Sequence, residues 1–211
     1  MVQRGRRTTR VSGDERQEAI LVAAESLLTA KSLDEISIEE LATGAGISRP
    51  TFYFYFSSKD DVLLALLDRV IGEVERRVGA LPRDFAAAPA DAWRESIGVF
   101  VEVFSAHRAV SAAAVAARLR NPEVHALWSK AMASWVDYST EVIVAERARG
   151  AAPTGPLHLD ARELAIALNL MNERALTAAF NGDSPAIDPG GILDVLAAVW
   201  LRAIYVTDTP S

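Results

Sequence analysis

The sequence predicts an all-α protein of about nine helices, a small amino-terminal helix-turn-helix domain followed by a larger helical domain. Three observations predict it. Apolar residues recur at three- and four-residue spacings along most of the 211 residues, as the core-facing stripe of a helix requires. No segment reads as a strand. Beyond residue 81, breaks at 82–89, 121–122, 150–156 and 181–191 part segments long enough to be helices.

Residues 1–12 contain Arg4, Arg6, Arg7 and Arg10 and no acid. Gly5, Thr8, Thr9, Ser12 and Gly13 add no hydrophobic periodicity between and after them, so residues 1–13 are expected to be a basic flexible arm that a polyanion orders, or else a solvated tail. From Asp14 the spacing is helical, with Ile20, Ala23, Ala24, Leu27 and Leu28 on one face and Ser12 and Glu15 placed as a capping box. This helix should end near Ala30. Ser37 followed three residues later by Glu40 opens a short second helix that buries Ile38, Leu41 and Ala42 and stops at Gly44-Ala45-Gly46. A third helix is expected from Ser48 to Tyr55, because Ser48 can cap it and Pro50 sits in the first turn, where a missing N–H is harmless. Phe52 and Phe56 share its inner face. A fourth, capped by Ser57-Ser58-Lys59-Asp60-Asp61, runs through Val62, Leu63, Leu66, Leu67 and Val70 to about Ala80. Five more are expected at Asp91–Ser105, His107–Arg118, Glu123–Arg149, Asp160–Phe180 and Ile192–Val206.

Composition removes several classes of function. Half the residues are apolar and 24% are charged, with 22 Lys and Arg against 28 Asp and Glu for a net charge of −6. The arm is +4, and the remainder has 18 basic and 28 acidic residues, so any polyanion-binding role is local. There is no cysteine, which excludes disulfide scaffolds, thiolate metal sites and cysteine nucleophiles and fits a reducing cytoplasm. The longest stretch without Asp, Glu, Lys or Arg, Gly150 to Leu159, is about half the ~20 residues of a membrane span. No apolar run follows the arginines, so neither a secretory signal nor an anchor is expected.

Two short helices joined at Thr43-Gly44-Ala45-Gly46-Ile47 have the arrangement in which the second helix presents its amino end to the major groove of DNA. With Phe52 and Phe56 inward, Arg49, Pro50, Thr51, Tyr53, Phe54 and Tyr55 are groove-facing candidates. Arg49 suits guanine or phosphate, and Thr51 suits a thymine methyl. Tyr53, Tyr55 and Lys59 suit phosphate oxygens, and Ser37 and Ser48 at the helix starts complete the candidate set. Successive residues of a helix turn by about 100°, so the five aromatics from Phe52 to Phe56 cannot all be core. The glycines of Gly44-Ala45-Gly46 echo a dinucleotide fingerprint but lack its third glycine and its preceding strand.

Gly46-Ile47-Ser48-Arg49-Pro50-Thr51-Phe52-Tyr53-Phe54-Tyr55-Phe56 with Ser58-Lys59 resembles the helix-turn-helix signature of the TetR family of bacterial repressors. Arg4-Gly5-Arg6-Arg7-Thr8, Leu67-Asp68-Arg69-Val70, Glu146 to Pro153 and Ala167 to Arg174 resemble one ligand-regulated branch of that family, so the likeness spans nearly the whole chain. It implies a TetR-like all-α homodimer, a double-stranded, palindrome-like DNA operator, and a second domain that binds a small molecule and dimerises. The expected division is an arm at 1–13, a DNA-binding domain at 14–57 and a ligand-binding and dimerisation domain at 58–211.

Trp93, Phe100 and Phe104 form one aromatic stripe; Trp128, Met132, Trp135 and Tyr138 form another. Either is packed core or the wall of a pocket. Asn169 and Asn172, three apart on an apolar helix, each cost about 1–3 kcal/mol if buried without a partner. A water, another side chain or a ligand must satisfy them, or they set register in a bundle. The resemblance implies a pocket for an apolar effector, lined at these aromatic and amide positions together with Glu173 and Trp200. Thr177 and Ser139 depart from the bulkier residues of that branch. Leu193, Leu196, Val199 and Trp200 give the stripe by which the last two helices would dimerise.

The resulting expectation is a transcriptional repressor of an adjacent gene, a monooxygenase gene by analogy, released from DNA by an apolar ligand, with no cofactor, metal or membrane. Two alternatives stand beside it. A small helical hydrolase could use the pocket, although His107, His125 and His158 show no metal spacing and no Gly-x-Ser-x-Gly elbow is present. A DNA-binding protein could also carry a purely structural second domain.

Overall fold

The computed structural model describes residues 13–154 and 158–206. Ser12, proposed as a cap, and Arg4, Arg6, Arg7 and Arg10 of the arm lie outside them. Among the described residues every regular element is helical: α1 Gly13–Leu28, a 3-10 turn Leu33–Glu35, α2 Ile38–Gly44, α3 Arg49–Phe52, α4 Lys59–Gly79, α5 Pro89–Ala106, α6 Arg108–Ala117, α7 Pro122–Ala148, α8 Ala161–Asn181 and α9 Ile192–Tyr205. The chain divides into two compact units, Met1–Leu66 and Leu67–Ser211, with α4 contributing to both.

In the first unit α1 packs on α2 and α2 on α3. Ile20, Leu21, Ala23, Ala24, Leu28, Leu41, Ala42, Phe52 and Phe56 are buried. Leu27 and Ile38 are only half-buried, and Leu21 and Ile36 take the core places. Local chemistry sets the boundaries. Ser37 Oγ accepts from the Glu40 N–H at 3.2 Å while Glu40 Oε2 accepts from the Ser37 N–H at 3.0 Å, a closed capping box. The Lys31 ammonium and the Ser37 N–H and hydroxyl pull the Glu40 carboxyl down to about 2. α2 ends on two bonds, Ile47 N–H to Ala42 O and Gly46 N–H to Thr43 O, both 3.0 Å; this is the Schellman closure, and it needs a left-handed residue. Gly46 supplies it at φ +67°.

In the second unit α7 packs on α8, α5 on α9 and α6 on α8. Asn121 Oδ1 caps α7 by accepting from Glu123 and Val124 N–H, and Asp160 Oδ1 caps α8 by accepting from Arg162 and Glu163 N–H. Gly150, at φ +81°, closes α7 as Gly46 closes α2. α5 and α6 meet at His107 with a bend of 86°, and Ala112 and Val115 of α6 share a cavity lining with Phe100 and Phe104 of α5. No single helix among the described residues is long and apolar enough to cross a membrane.

Candidate functional site

α3 is shorter than the expected Ser48–Tyr55 helix. Ser48 is its N-cap, accepting from the Thr51 N–H at 3.3 Å, and after Phe52 the chain tightens into three-residue bonds, Phe54 N–H to Thr51 O and Tyr55 N–H to Phe52 O. The tightening has a reason. Asp61 Oδ2 takes the N–H groups of Ser57 and Ser58 to start α4, so the chain must turn within the aromatic run.

That turn sorts the five aromatics. Phe52 and Phe56 are buried at 0% and 6% exposure, whereas Phe54 is 91% exposed and Tyr53 47%. Arg49 and Pro50 are exposed; Thr51 and Tyr55 are half-buried. The Tyr53 phenol beside the Arg49 guanidinium, and more weakly the Glu39 carboxylate, hold the Arg49 pKa above its ordinary value. The Thr51 hydroxyl is 2.8 Å from Ser48 Oγ, which leaves its methyl as the free contact. A Cβ on Gly13 would lie 4.0 Å from the Tyr55 hydroxyl, so the described chain begins beside this same surface.

Lys59 does something the sequence did not reveal. Its ammonium donates to the carbonyls of Asp34 at 2.9 Å and Ile36 at 3.2 Å, tying the start of α4 to the turn before α2. Ser37 likewise spends its hydroxyl on the cap.

In the second unit Phe100 and Phe104 of α5, Trp128, Met132 and Trp135 of α7, and Asn169, Asn172 and Glu173 of α8 line one cavity of about 50 Å³. The rings interlock edge to face: Phe100 to Trp135 at 5.1 Å, Phe104 to Trp128 at 5.8 Å, Trp128 to Trp135 at 5.7 Å. The indole N–H groups of Trp128 and Trp135 are buried without a partner.

Three expected lining residues lie elsewhere. Trp93 is 1% exposed, packs on Phe85 and Trp200 at 4.9 Å each, and donates to the Tyr205 hydroxyl at 3.1 Å. Trp200 stands behind Asn172, donating to its Oδ1 at 2.9 Å. Tyr138 lies under the Arg83 guanidinium, 5.6 Å from the ring centre.

Sequence reasoning also missed Arg118. It pairs with Glu173 at 2.6 Å and lies 4.9 Å from the centre of the Trp128 ring; all three residues line both the narrow cavity and a wider adjoining groove of about 640 Å³. The signal was absent because the three belong to different segments of sequence.

The stripe assigned to dimerisation divides as well. Leu196 and Trp200 are buried in the chain's own core, while Val195 and Val199 of α9 and Ile166 and Leu170 of α8 are exposed. The physical reason is α5, which packs on α9 and sets Trp93 against Trp200. Among the described residues no three His, Asp or Glu side chains are grouped to hold a metal ion.

Comparison with known proteins bears on both units. Residues 20–66 match the bacterial regulatory proteins of the tetR family, and residues 93–206 match the C-terminal domain of the transcriptional regulator EthR. The chain is 51% identical over 207 residues to the HTH-type transcriptional regulator EthR of Mycobacterium tuberculosis, covering 96% of this chain and 93% of that protein. It is 43% identical over 204 residues to EthR of Mycolicibacterium smegmatis, with 97% and 93% covered. A TetR transcription regulator from Haloarcula marismortui superposes with a TM-score of 0.73 at 16% identity, covering 94% of this chain and all of that one.

Proposed function

The chain belongs to the TetR family of bacterial transcriptional regulators, with an EthR-type carboxy-terminal domain, and on that premise we propose that it is a cytoplasmic, non-enzymatic repressor released from its operator by an apolar small molecule. The observation that carries the DNA reading is the sorting of the aromatic run: Phe54 is 91% exposed and Tyr53, which meets the exposed Arg49, 47%, while Phe52 and Phe56 anchor the core. Exposed aromatic rings and a cation gathered on one turn after a capped helix start fit a surface that meets a polyanion. The assigned contacts are Arg49 and Thr51 to base edges, Tyr53 and Tyr55 to phosphates, and the basic arm preceding α1, whose first residue is Gly13, to the flanking backbone. In this reading residues 14–57 form the DNA-binding domain, and residues 58–211 bind the ligand and dimerise.

One recognition turn reads few base pairs, so the reading requires two, placed one helical turn of DNA apart by a homodimer on a palindrome-like operator. Ile166, Leu170, Val195 and Val199 are its interface, being apolar, exposed and one helical turn apart on each of the last two helices.

The cavity supports a ligand-coupled switch. Its volume of about 50 Å³ is far below the ~300–1,000 Å³ of a small-molecule site, so a ligand must displace Phe100, Phe104 or Trp128 to enter. A molecule that binds only a rearranged interior shifts the population toward it. A preference of ~1–3 kcal/mol for the DNA-released state lowers operator affinity about 5–150-fold. The helix α4, common to both units, carries the coupling. The regulated gene is placed next to the repressor's own, a monooxygenase gene by analogy with the branch it resembles.

The test is nuclease footprinting on end-labelled DNA from upstream of the gene. Protection of a palindrome, and its loss when a long apolar ester is added, is the expected result; sequence-independent binding, or none, overturns the proposal.

A further inference from the structure

The start of α4 breaks a local rule. A cation in the first turn of a helix faces the positive end of the helix dipole, where acids such as Asp60 and Asp61 belong, yet Lys59 is the first residue of α4. Its half-buried side chain turns away from that helix and donates to the carbonyls of Asp34 at 2.9 Å and Ile36 at 3.2 Å. A broken local preference marks a position that tertiary contact or function decides.

The two carbonyls are well placed for control. Asp34 belongs to the 3-10 turn Leu33–Glu35, and Ile36 is its C-cap. Ile36 also directly precedes Ser37, the cap of α2, so one ammonium fixes the peptide from which α2 starts, across 23 residues of chain. Both ends of the tie are firm. Leu33 and Ile36 are buried. On the α4 side, Ser58 Oγ accepts from the Asp61 N–H at 3.1 Å while Asp61 Oδ2 accepts from the Ser58 N–H at 3.1 Å, a closed box.

The same bonds spend what a phosphate would need. An ammonium has three hydrogens, and the carbonyls of Asp34 and Ile36 take two of them. The N–H groups of Ser57 and Ser58 go to Asp61, and the carboxylates of Asp60 and Asp61 put negative charge at this helix start.

We propose that Lys59 is a positioning residue for operator recognition and not a phosphate contact: it clamps the entry of α2 to the first turn of α4. Because α2 packs on α3, the recognition turn at 49–53 then follows α4. The proposal rests on the reading of the chain as a dimeric regulator on a palindrome, and adds to it the residue that fixes how far apart two recognition turns are held.

Lys59→Met tests it, keeping the length of the side chain and removing its donors and charge. Anisotropy is measured on the full-length protein with the footprinted operator, with operators carrying one base pair more or fewer between the half-sites, and with scrambled DNA. One base pair moves a half-site by ~3.4 Å and turns it by about 34°, so a rigid dimer tells the spacings apart. The wild type prefers the native spacing about tenfold. In Lys59→Met, affinity at the native spacing falls about tenfold, the preference among spacings is largely lost, and the slope of log affinity against log salt stays that of the wild type.

A lost phosphate contact behaves otherwise, weakening every spacing and scrambled DNA alike and flattening the slope by ~0.9. That result overturns the proposal, as does a Lys59→Met protein that binds like the wild type. Since Lys59→Met removes a contact of the folded unit, the wild type is also read by 1H–15N spectroscopy of the Lys59 ammonium. Its resonance is expected to keep its position when operator is added; a shift with 15N–31P coupling across a hydrogen bond to phosphate overturns the assignment. Failure of the wild type to protect a palindrome overturns the dimeric reading and this proposal with it, whereas protection without any preference among spacings overturns only the proposal.

Discussion

The Tyr205 hydroxyl donates to Glu146 Oε2 at 2.7 Å, joining the last turn of α9 to the last turn of α7. Arg149 closes the carboxylate from the other side, at 2.7 Å to Oε1 and 2.6 Å to Oε2, and Trp93 donates to the phenol oxygen at 3.1 Å. Glu146 is 2% exposed. Its charge is tolerable there because both oxygens are bonded, one of them to a cation and a phenol at once.

Tyr205→Phe should therefore destabilise the protein by about 2–3 kcal/mol, since it removes a bond to a buried charge and strands the Trp93 N–H. Burial first, and then the Glu146 carboxylate, push the Tyr205 pKa above its ordinary value of 10.0. Above pH 10 the unfolded chain ionises this phenol while the folded chain resists, so stability from this group is complete below pH 10 and falls as pH rises further. Urea titrations from pH 8 to 11 should show that fall in the wild type and a shallower one in Tyr205→Phe.

Gly44, the last residue of α2, and Gly46, just after it, should fail for different reasons. Gly46 is at φ +67°, so Gly46→Ala costs about 1–2 kcal/mol in backbone strain. At Gly44 a Cβ would sit 3.0 Å from the Ala23 Cβ, so Gly44→Ala forces α1 and α2 apart and costs about 1–3 kcal/mol by overpacking. Denaturation midpoints measure both; the added Ala23→Gly should relieve the second variant's steric clash and leave the first variant's strain in place.

Arg49→Ala should weaken operator binding by about 1–3 kcal/mol if the guanidinium reads a base. Arg49 is exposed, so helical circular dichroism should stay unchanged. Anisotropy against operator and scrambled DNA measures the effect: loss on the operator alone marks base reading, and equal loss on both marks a phosphate contact.

Deleting residues 1–12 removes four arginines. If each neutralises a phosphate, the slope of log affinity against log salt should flatten by up to about 3.5. A series from 50 to ~300 mM salt reads the slope directly; an unchanged slope places the arm off the DNA.

Much of this molecule is local chemistry written in order along the chain. The Ser37–Glu40 box, the Ser48 cap and the Gly46 turn each involve residues no more than a few positions apart, so spacing alone foretold where α2 ends and α3 begins. The inward pair Phe52 and Phe56 followed from helical period in the same way. The helix that holds them came out shorter than its pattern, because the start of α4 claims the next N–H groups.

The second unit was legible as helices and not as a site. Eight of the eleven residues assigned to a lining do meet at one cavity, since aromatic stripes on α5 and α7 must face something. Helical period says which side of a helix is apolar but not which neighbour covers it. That is why Trp93 and Trp200 went to a second aromatic cluster, why Leu196 turned into the chain's own core, and why Arg118 and Glu173, 55 positions apart in the sequence, were not seen as partners.

By itself, then, the sequence determined the helices and their breaks, the caps of α2 and α3, the exposed aromatics that follow Phe52 and the family, all of which depend on neighbours within one or two turns or on a motif read residue by residue. Tertiary structure alone decided where the Lys59 ammonium is spent, which tryptophans border empty space and which stand behind them. Those outcomes depend on hydrogen bonds that join α4 to the turn before α2 and α8 to α9 across 23 to 28 residues of chain, and whether a donor is already spent is settled only when distant segments are packed against one another.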